Sequence, residues 1–289
     1  GALLHAAFFL GSRAFYRALR EMPEAELAKL RMGPVSFVNE LYGDEAAKRR
    51  ARVKARFVNN AMMATLLGAV ISDALDNGQV VSGVGGQYNF VTQGFALADA
   101  RSIIVLRATR TAKRRITSTI LWNYGHTTIP RHLRDVVVTE YGIADLRGKT
   151  DRDVIAAMLA IADSRFQDEL LRRAKDAGKI EKSFELPAAC RDNTPERIAR
   201  ALGEARELLP PFPFGSDFTA TEERLIPALE LLRAAPPLQL AGLLARGLFA
   251  SAPAKDVHDC LARMGLAHPS GVSARIEAAL LHAALESPP

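Results

Sequence analysis

At 289 residues, 48% of them apolar and 24% charged, the chain can bury a full core and has an ordinary globular composition. No apolar run is long enough to span a bilayer as a helix; the longest, residues 61–75, is interrupted by Thr65, Ser72 and Asp73. A formal net charge of +6 favours anionic partners, nucleic acid or a phosphate-bearing cofactor among them, whereas two cysteines, Cys190 and Cys260, without metal-ligand spacing argue against a disulfide framework or a zinc site.

The opening Gly1-Ala2-Leu3-Leu4 has no basic n-region, so a cytoplasmic setting is expected. Residues 12–19 and 25–31 read as helices, and Gly33-Pro34 breaks the pattern before a short strand over 35–38. The basic run from Lys48 to Arg56 lacks interleaved aromatics for stacking on bases and reads as the solvated face of a helix. Residues 57–75 are apolar on both faces, which periodicity cannot assign. Asp76-Asn77-Gly78 then predicts a hairpin turn into Gln79-Val80-Val81. A short helix is expected after the glycine cluster that follows.

Ser102-Ile103-Ile104-Val105-Leu106 and Asp135-Val136-Val137-Val138-Thr139 are continuous apolar runs of buried-strand type. Thr150 and Ser164 each stand as N-caps three residues before Asp153 and Gln167, starting two helices with Val154, Ile155, Met158, Leu159 and Leu170, Leu171 inward. Strands alternating with helices predict a mainly parallel, covered sheet. After Lys179 the chain changes character. Pro187, Thr194-Pro195 and the proline cluster at 210–213 punctuate a wrapping segment, and an alanine- and leucine-rich helical appendage follows, broken at Pro236-Pro237 and His268-Pro269. The expected divisions are 1–180, 181–234 and 235–289.

Two motifs dominate. Ser82-Gly83-Val84-Gly85-Gly86-Gln87-Tyr88-Asn89-Phe90 places three glycines where a backbone can turn tightly and expose N–H groups to an oxyanion or phosphate. Val138-Thr139-Glu140-Tyr141-Gly142-Ile143-Ala144-Asp145-Leu146-Arg147-Gly148 places one carboxylate, Glu140, at the end of a β-branched run. Taken with Gly11-Ser12-Arg13-Ala14-Phe15-Tyr16, Ser36-Phe37-Val38-Asn39-Glu40 and Thr127-Thr128-Ile129-Pro130-Arg131, in that order over residues 8 to 180, they resemble the C-terminal half of the acetyl-CoA hydrolase/CoA-transferase family.

The resemblance implies an α/β fold, the three-layer arrangement of the CoA-transferase group (a NagB/RpiA-type domain), carrying the helical appendage, and a homodimer. It implies acyl transfer through a glutamyl-CoA thioester, with coenzyme A as substrate and product rather than a resident cofactor, small carboxylates as acceptors, and neither nucleic acid nor membrane as partner. By position, Asn39 is the side-chain oxyanion donor and Gly85 or Gly86 the backbone donor. Glu140 is the family's second active-site glutamate. Gly83, Gln87, Asn89 and Arg110 are placed for contacts with CoA. Bland roles stand beside these: a local turn bond for Asn39, a tight turn for the glycines, an ion pair of Glu140 with Arg131 or Arg134, and plain surface for the basic group Arg110 to Arg115.

Asn89 stands where many members carry aspartate, and Arg107 to Ile120 departs from a small-residue pattern, which leaves the acyl group open. His126 and His132 are expected to be structural or groove-lining, and Asp145 with Arg147 to lock the strand-to-helix corner. The family's nucleophilic glutamate falls upstream of the segment matching residues 11–16. The chain is therefore expected to be the C-terminal portion of a longer enzyme, inactive by itself, with the N-terminal domain of the same polypeptide as partner. A non-catalytic CoA-binding or assembly domain is the alternative.

Overall fold

A computed structural model of the chain describes residues 1–112, 115–210, 212–213 and 215–287. It divides into two compact units, Gly1–Leu10 with Leu19–Pro210, and Gly11–Ala18 with Pro211–Pro289. Helix α1 (Arg13–Arg20) runs across that division.

The first unit begins with a parallel pair, β1 (Leu4–Ala6) and β2 (Leu30–Met32), joined through the one-turn α2 (Glu24–Leu27). Helices α3 (Val35–Asn39) and α4 (Glu45–Ala51) lead into the main sheet, built from β3 (Arg56–Asn60), β6 (Arg101–Val105), β10 (Val136–Thr139) and β11 (Gly142–Asp145). Its order is β11-β10-β6-β3; β3, β6 and β10 are parallel and β11 returns antiparallel. A smaller sheet pairs β4 (Met63–Thr65) with β5 (Val70–Ile71) and β9 (Ile120–Leu121), and β7 (Thr109–Ala112) with β8 (Arg115–Ser118) forms a separate ribbon. Helices α5 (Gln87–Ala96), α6 (Asp151–Ala160), α7 (Ser164–Asp176) and α8 (Pro195–Leu202) complete the unit.

Strand alternation sends Ile104, Val137 and Ala144 to one face of the main sheet, where they are buried with Val91 of α5 and with Val154, Ile155, Met158 and Leu159 of α6. The other face carries Val58, Ile103, Val105, Val136, Val138 and Ile143, and is more open than a fully covered parallel sheet requires: Val58 is 63% and Ile143 72% exposed.

In the second unit α9 (Ala220–Ala234), α10 (Pro237–Leu248), α11 (Lys255–Arg263) and α12 (Gly271–Leu285) enclose a core of Leu225, Val257, Cys260, Leu261 and Leu281. Thr219 and Glu222 form a reciprocal capping box at the start of α9. Gly247 is needed where α10 meets α12, because a Cβ there would fall 1.9 Å from the Ala279 carbonyl oxygen.

Four local expectations are corrected. Residues 35–38 form helix α3 rather than a strand: Pro34 at its N-cap has the extended φ −64°, ψ 148°, and Phe37 packs against the ring of His5 and beneath the Lys48 ammonium. The second helix stops at Leu27, and Leu30–Met32 pairs with β1 instead. Asp163, not Ser164, caps α7, accepting from the Arg165 N–H. The Asn77-Gly78 turn forms with Gly78 at φ +84°, but the returning segment makes one bridge, Ala74 to Val80, and no strand.

Candidate functional site

The register aligns Asn60, Val105 and Val138, so β3, β6 and β10 end together at one edge of the sheet. Ligands of open α/β sheets bind beyond such carboxyl ends. The glycine loop, the end of α3 and Glu140 lie beyond this one.

The glycine loop is fastened before it turns. The Asp73 carbonyl accepts from the N–H groups of Val81 and Ser82, and the Asp73 carboxylate accepts from the Thr128 hydroxyl and from His126 Nε2 at 3.0 Å. The Thr128 and His126 hydrogen bonds hold the Asp73 carboxyl below the usual carboxylate range. His126 thus has a structural role; exposed His132 lies in a 3-10 turn. Gly85 then takes the left-handed φ of +59°, and Gly86, at φ −88°, is the N-cap of α5. Neither glycine N–H finds an acceptor among the described residues. They stand at the positive end of α5, where backbone donors attract negative oxygen.

Asn39 closes α3 and meets this loop directly. A Cβ on Gly86 would fall 2.5 Å from Asn39 Nδ2, so the absence of a side chain is what lets the amide approach. The Asn39 carbonyl accepts from Gln93 Nε2 of α5, which fixes the backbone behind it. Two members of the basic run hold the same loop. Lys48 Nζ donates to the Glu40 carbonyl at 2.9 Å and to that of Tyr42, and lies 4.1 Å from the Phe37 ring centroid. Arg52 donates to Val38 O at 3.1 Å and to Gln93 Oε1. Desolvation lowers the pKa of both, with the charge of Arg52 adding to the shift of Lys48. The solvated-face reading of this run is therefore corrected for Lys48 and Arg52. Their four-residue spacing, one helical turn on one face, was the signal available.

Asn39 also lines a cleft of about 390 Å³ with Glu40, Tyr42, Arg49, Tyr88 and Asn89. Asn89 Nδ2 donates to Glu40 Oε1 at 3.4 Å. Gln87 turns inward: it is 6% exposed, donates from Nε2 to the Asn60 carbonyl at 3.0 Å, and leaves Oε1 buried without a partner among the described residues. Gly83 is exposed in the loop. Arg110 lies on the β7–β8 ribbon, donating weakly to Thr117 Oγ1 at 3.4 Å; Lys113 and Arg114 of the same basic group lie outside the described residues.

Glu140 leaves β10 at the same edge, two strands from β3 and so roughly 10 Å across the sheet. Its Oε2 accepts from the Ala108 N–H at 2.8 Å, and the residue is exposed. The alternative ion pair does not form: Arg131 and Arg134 both bind Asp151, at 3.0 and 3.1 Å. At the opposite, amino-terminal edge of the sheet Asp135, 3% exposed, accepts from Arg101 Nε at 2.8 Å, from the Ser102 N–H at 2.7 Å and from Arg147, while Arg101 also reaches Asp145 at 2.6 Å. Asp145 and Arg147 do lock this corner. The carboxylate on which Arg101 and Arg147 converge, Asp135, was invisible as a hub within its apolar run.

The structure thus brings Asn39, Gly85 and Gly86 together, sets Glu140 on the same edge, and leaves Arg110 on a separate ribbon. Known proteins share parts of this sequence and fold. The sequence is 34% identical over 119 residues to the 4-hydroxybutyrate coenzyme A transferase of Clostridium kluyveri, 41% of this chain and 28% of that one. It is 31% identical over 180 residues to the butyryl-CoA:acetate CoA-transferase of Anaerostipes caccae, 59% of this chain and 37% of that one. The crystal structure of RipA from Yersinia pestis superposes with a TM-score of 0.50 at 27% identity, over 60% of this chain and 37% of that one. The chain spans about a third of the length of the curated relatives it matches. Residues 11–174, more than half of it, match the acetyl-CoA hydrolase/transferase C-terminal domain, and the chain belongs to that family.

Proposed function

We propose that the chain is the C-terminal part of an enzyme that moves coenzyme A between small acyl thioesters and carboxylates, or to water. The observation that carries this reading is the seating of the Asn39 amide against Gly86, beside two backbone N–H groups without acceptors among the described residues. Neutral donors gathered at a helix N-terminus suit the oxyanion that develops when a thioester carbonyl is attacked.

In the proposed sequence a glutamate carboxylate, supplied by polypeptide outside these 289 residues, attacks the acyl carbonyl and expels CoA thiolate, giving a mixed anhydride. The thiolate attacks the glutamyl carbonyl, releases the acyl group as a carboxylate and leaves a glutamyl-CoA thioester. A second carboxylate, or water, resolves it. Asn39 with Gly85 or Gly86 would stabilise the oxyanions, and Glu140 would orient the nucleophile or manage a proton. Gly83, Asn89 and Arg110 would contact CoA, whereas Gln87, buried under the loop, supports it from beneath in place of the expected ligand contact. We assign the 1–180 region to the three-layer CoA-transferase arrangement and expect a homodimer; the expected boundary at 234 gives way to one at Pro210, since α9 shares its core with α11 and α12. The relatives' names, all CoA-transferases acting on small acids, support the substrate class.

Intact-mass measurement after incubation with acetyl-CoA tests the covalent step. A CoA-sized adduct, removed by acetate, is expected on the longer polypeptide and not on this chain alone. An adduct on the chain alone would place the nucleophile within it and overturn that part of the reading; none on either would overturn the covalent route.

A further inference from the structure

CoA carries its thioester at one end of a flexible arm and an adenosine phosphate at the other, so the two ends need separate seats. A second cleft, of about 250 Å³, lies between β8, β9 and α7. Half-buried Trp122 and Phe166 line it and offer aromatic faces, with Thr117 from the ribbon, Arg115 from the ribbon's outer end, and Arg173 and Glu169 from α7. Aromatic walls stack on a base without reading its sequence, and guanidinium groups hold phosphate oxygens.

The charges in the cleft are not all committed. Arg173 pairs with Glu169 at 2.9 Å, but Arg115 has no carboxylate partner among the described residues. Arg110 has none either, and the register brings it near: Arg110 faces Thr117, and Ala112 faces Arg115. Arg110 and Arg115 are therefore diagonal neighbours on one face of the ribbon, about 7 Å apart at their backbones, a span that long side chains bridge to a common phosphate. Arg101, Arg131, Arg134, Arg147 and Arg165 of the same unit all bind carboxylates. The ribbon is also tied to the catalytic edge. Ala108, just before β7, donates its N–H to Glu140 and accepts from the Thr119 N–H just after β8.

We propose that the cleft between Trp122, Phe166 and Arg115 seats an adenosine phosphate, the nucleotide end of the CoA carrier. Trp122 and Phe166 flank the adenine, and Arg115 and Arg110 grip its phosphates. This rests on the CoA reading above and names where the far end of the carrier goes.

Trp122 is the chain's single tryptophan, so its fluorescence reports on this cleft and no other. CoA and adenosine 3′,5′-bisphosphate are expected to quench it, and pantetheine, which lacks the nucleotide, to leave it unchanged. Arg115→Gln, an exposed substitution, should weaken both nucleotides about tenfold, as expected for loss of a charge-assisted phosphate contact. Dephospho-CoA distinguishes the groups held: a tenfold effect of the variant that persists with it assigns Arg115 to the diphosphate, and one that vanishes assigns it to the 3′-phosphate. CoA binding by calorimetry with unaltered Trp122 emission, or with equal affinity in the variant, would overturn this seat and leave the thioester reading standing. No calorimetric binding of CoA to either protein would overturn both.

Discussion

Gly86→Ala separates a catalytic donor pair from a mere turn. At φ −88° an alanine backbone is unstrained, so the whole effect is the added methyl. It would stand 2.5 Å from Asn39 Nδ2 and 2.8 Å from Phe90 Cε2. Optimal heavy-atom contact is about 3.5 Å, so roughly 1 Å must be yielded. Phe90 is stacked on Phe57 with centroids 5.7 Å apart, and the Asn39 backbone is fixed by Gln93, so the Asn39 side chain is the part free to move. The strain costs about 1–3 kcal/mol, partly offset by about 0.4–1 kcal/mol from the stiffer unfolded chain. That is too small to unfold a typical domain. Displacing one oxyanion donor, by contrast, costs roughly 100- to 1000-fold in turnover.

Gly85→Ala is the control. It meets nothing within 4 Å but forces φ +59° on alanine, costing about 1–2 kcal/mol of stability, while leaving the donor in place. Acyl exchange between acetyl-CoA and a carboxylate, measured in the longer polypeptide beside urea denaturation, reads both quantities. Gly86→Ala is predicted to be nearly as stable as the parent and nearly inactive, and Gly85→Ala less stable and active. Equal losses of turnover, or a Gly86→Ala protein at parental rate, would refute the donor assignment.

Other substitutions test separate links. Glu140→Gln keeps an acceptor for the Ala108 N–H, so its stability should stay within about 0.5 kcal/mol while turnover falls about 100-fold or more through loss of the carboxylate; a drop in stability with parental turnover would make Glu140 structural. Asp135→Ala strands Arg101 and Arg147 at the sheet edge opposite the site and should cost about 3–5 kcal/mol in a urea titration; a loss below about 1 kcal/mol would show these guanidiniums finding water instead. The Thr128 hydroxyl and His126 lower the Asp73 pKa, so its folded value lies below the unfolded one near 3.9. Its stabilisation is then complete above about pH 4 and lost as the pH falls through the folded value. Asp73→Asn should flatten the acid limb of stability between about pH 5 and 2, and parallel limbs for parent and variant would contradict the assignment. Thr150→Ala removes the acceptor of the Asp153 N–H at the start of α6 and should cost about 1 kcal/mol.

The long apolar runs announced their strands, because parallel strands buried on a face need uninterrupted β-branched residues; β6 and β10 fall where Ile103-Ile104 and Val136 to Val138 predict. The Thr150 and Thr194 caps were readable for a local reason: a hydroxyl satisfies an N–H three residues on. Residues 35–39 were not readable. Val35-Ser36-Phe37-Val38 favours strand locally, and the helix forms through contacts of Phe37 with distant His5 and Lys48. The glycine loop and Glu140 were legible as motifs, yet the meeting of Asn39 with Gly86 depends on bonds from Lys48, Arg52 and Gln93 that no local pattern encodes. Gln87 shows the same limit, since its polarity suggests a ligand contact and its burial under the loop is a tertiary fact.

Thiol release from acetyl-CoA, with and without acetate or succinate, tests the central claim most directly when this chain and the longer polypeptide are compared. Release by the longer polypeptide alone, abolished by Asn39→Ala, is the predicted result; dependence on added carboxylate would make the enzyme a transferase, and release without it a hydrolase. No release from the longer polypeptide across several acyl-CoA esters would contradict the account and leave a domain that binds CoA without chemistry.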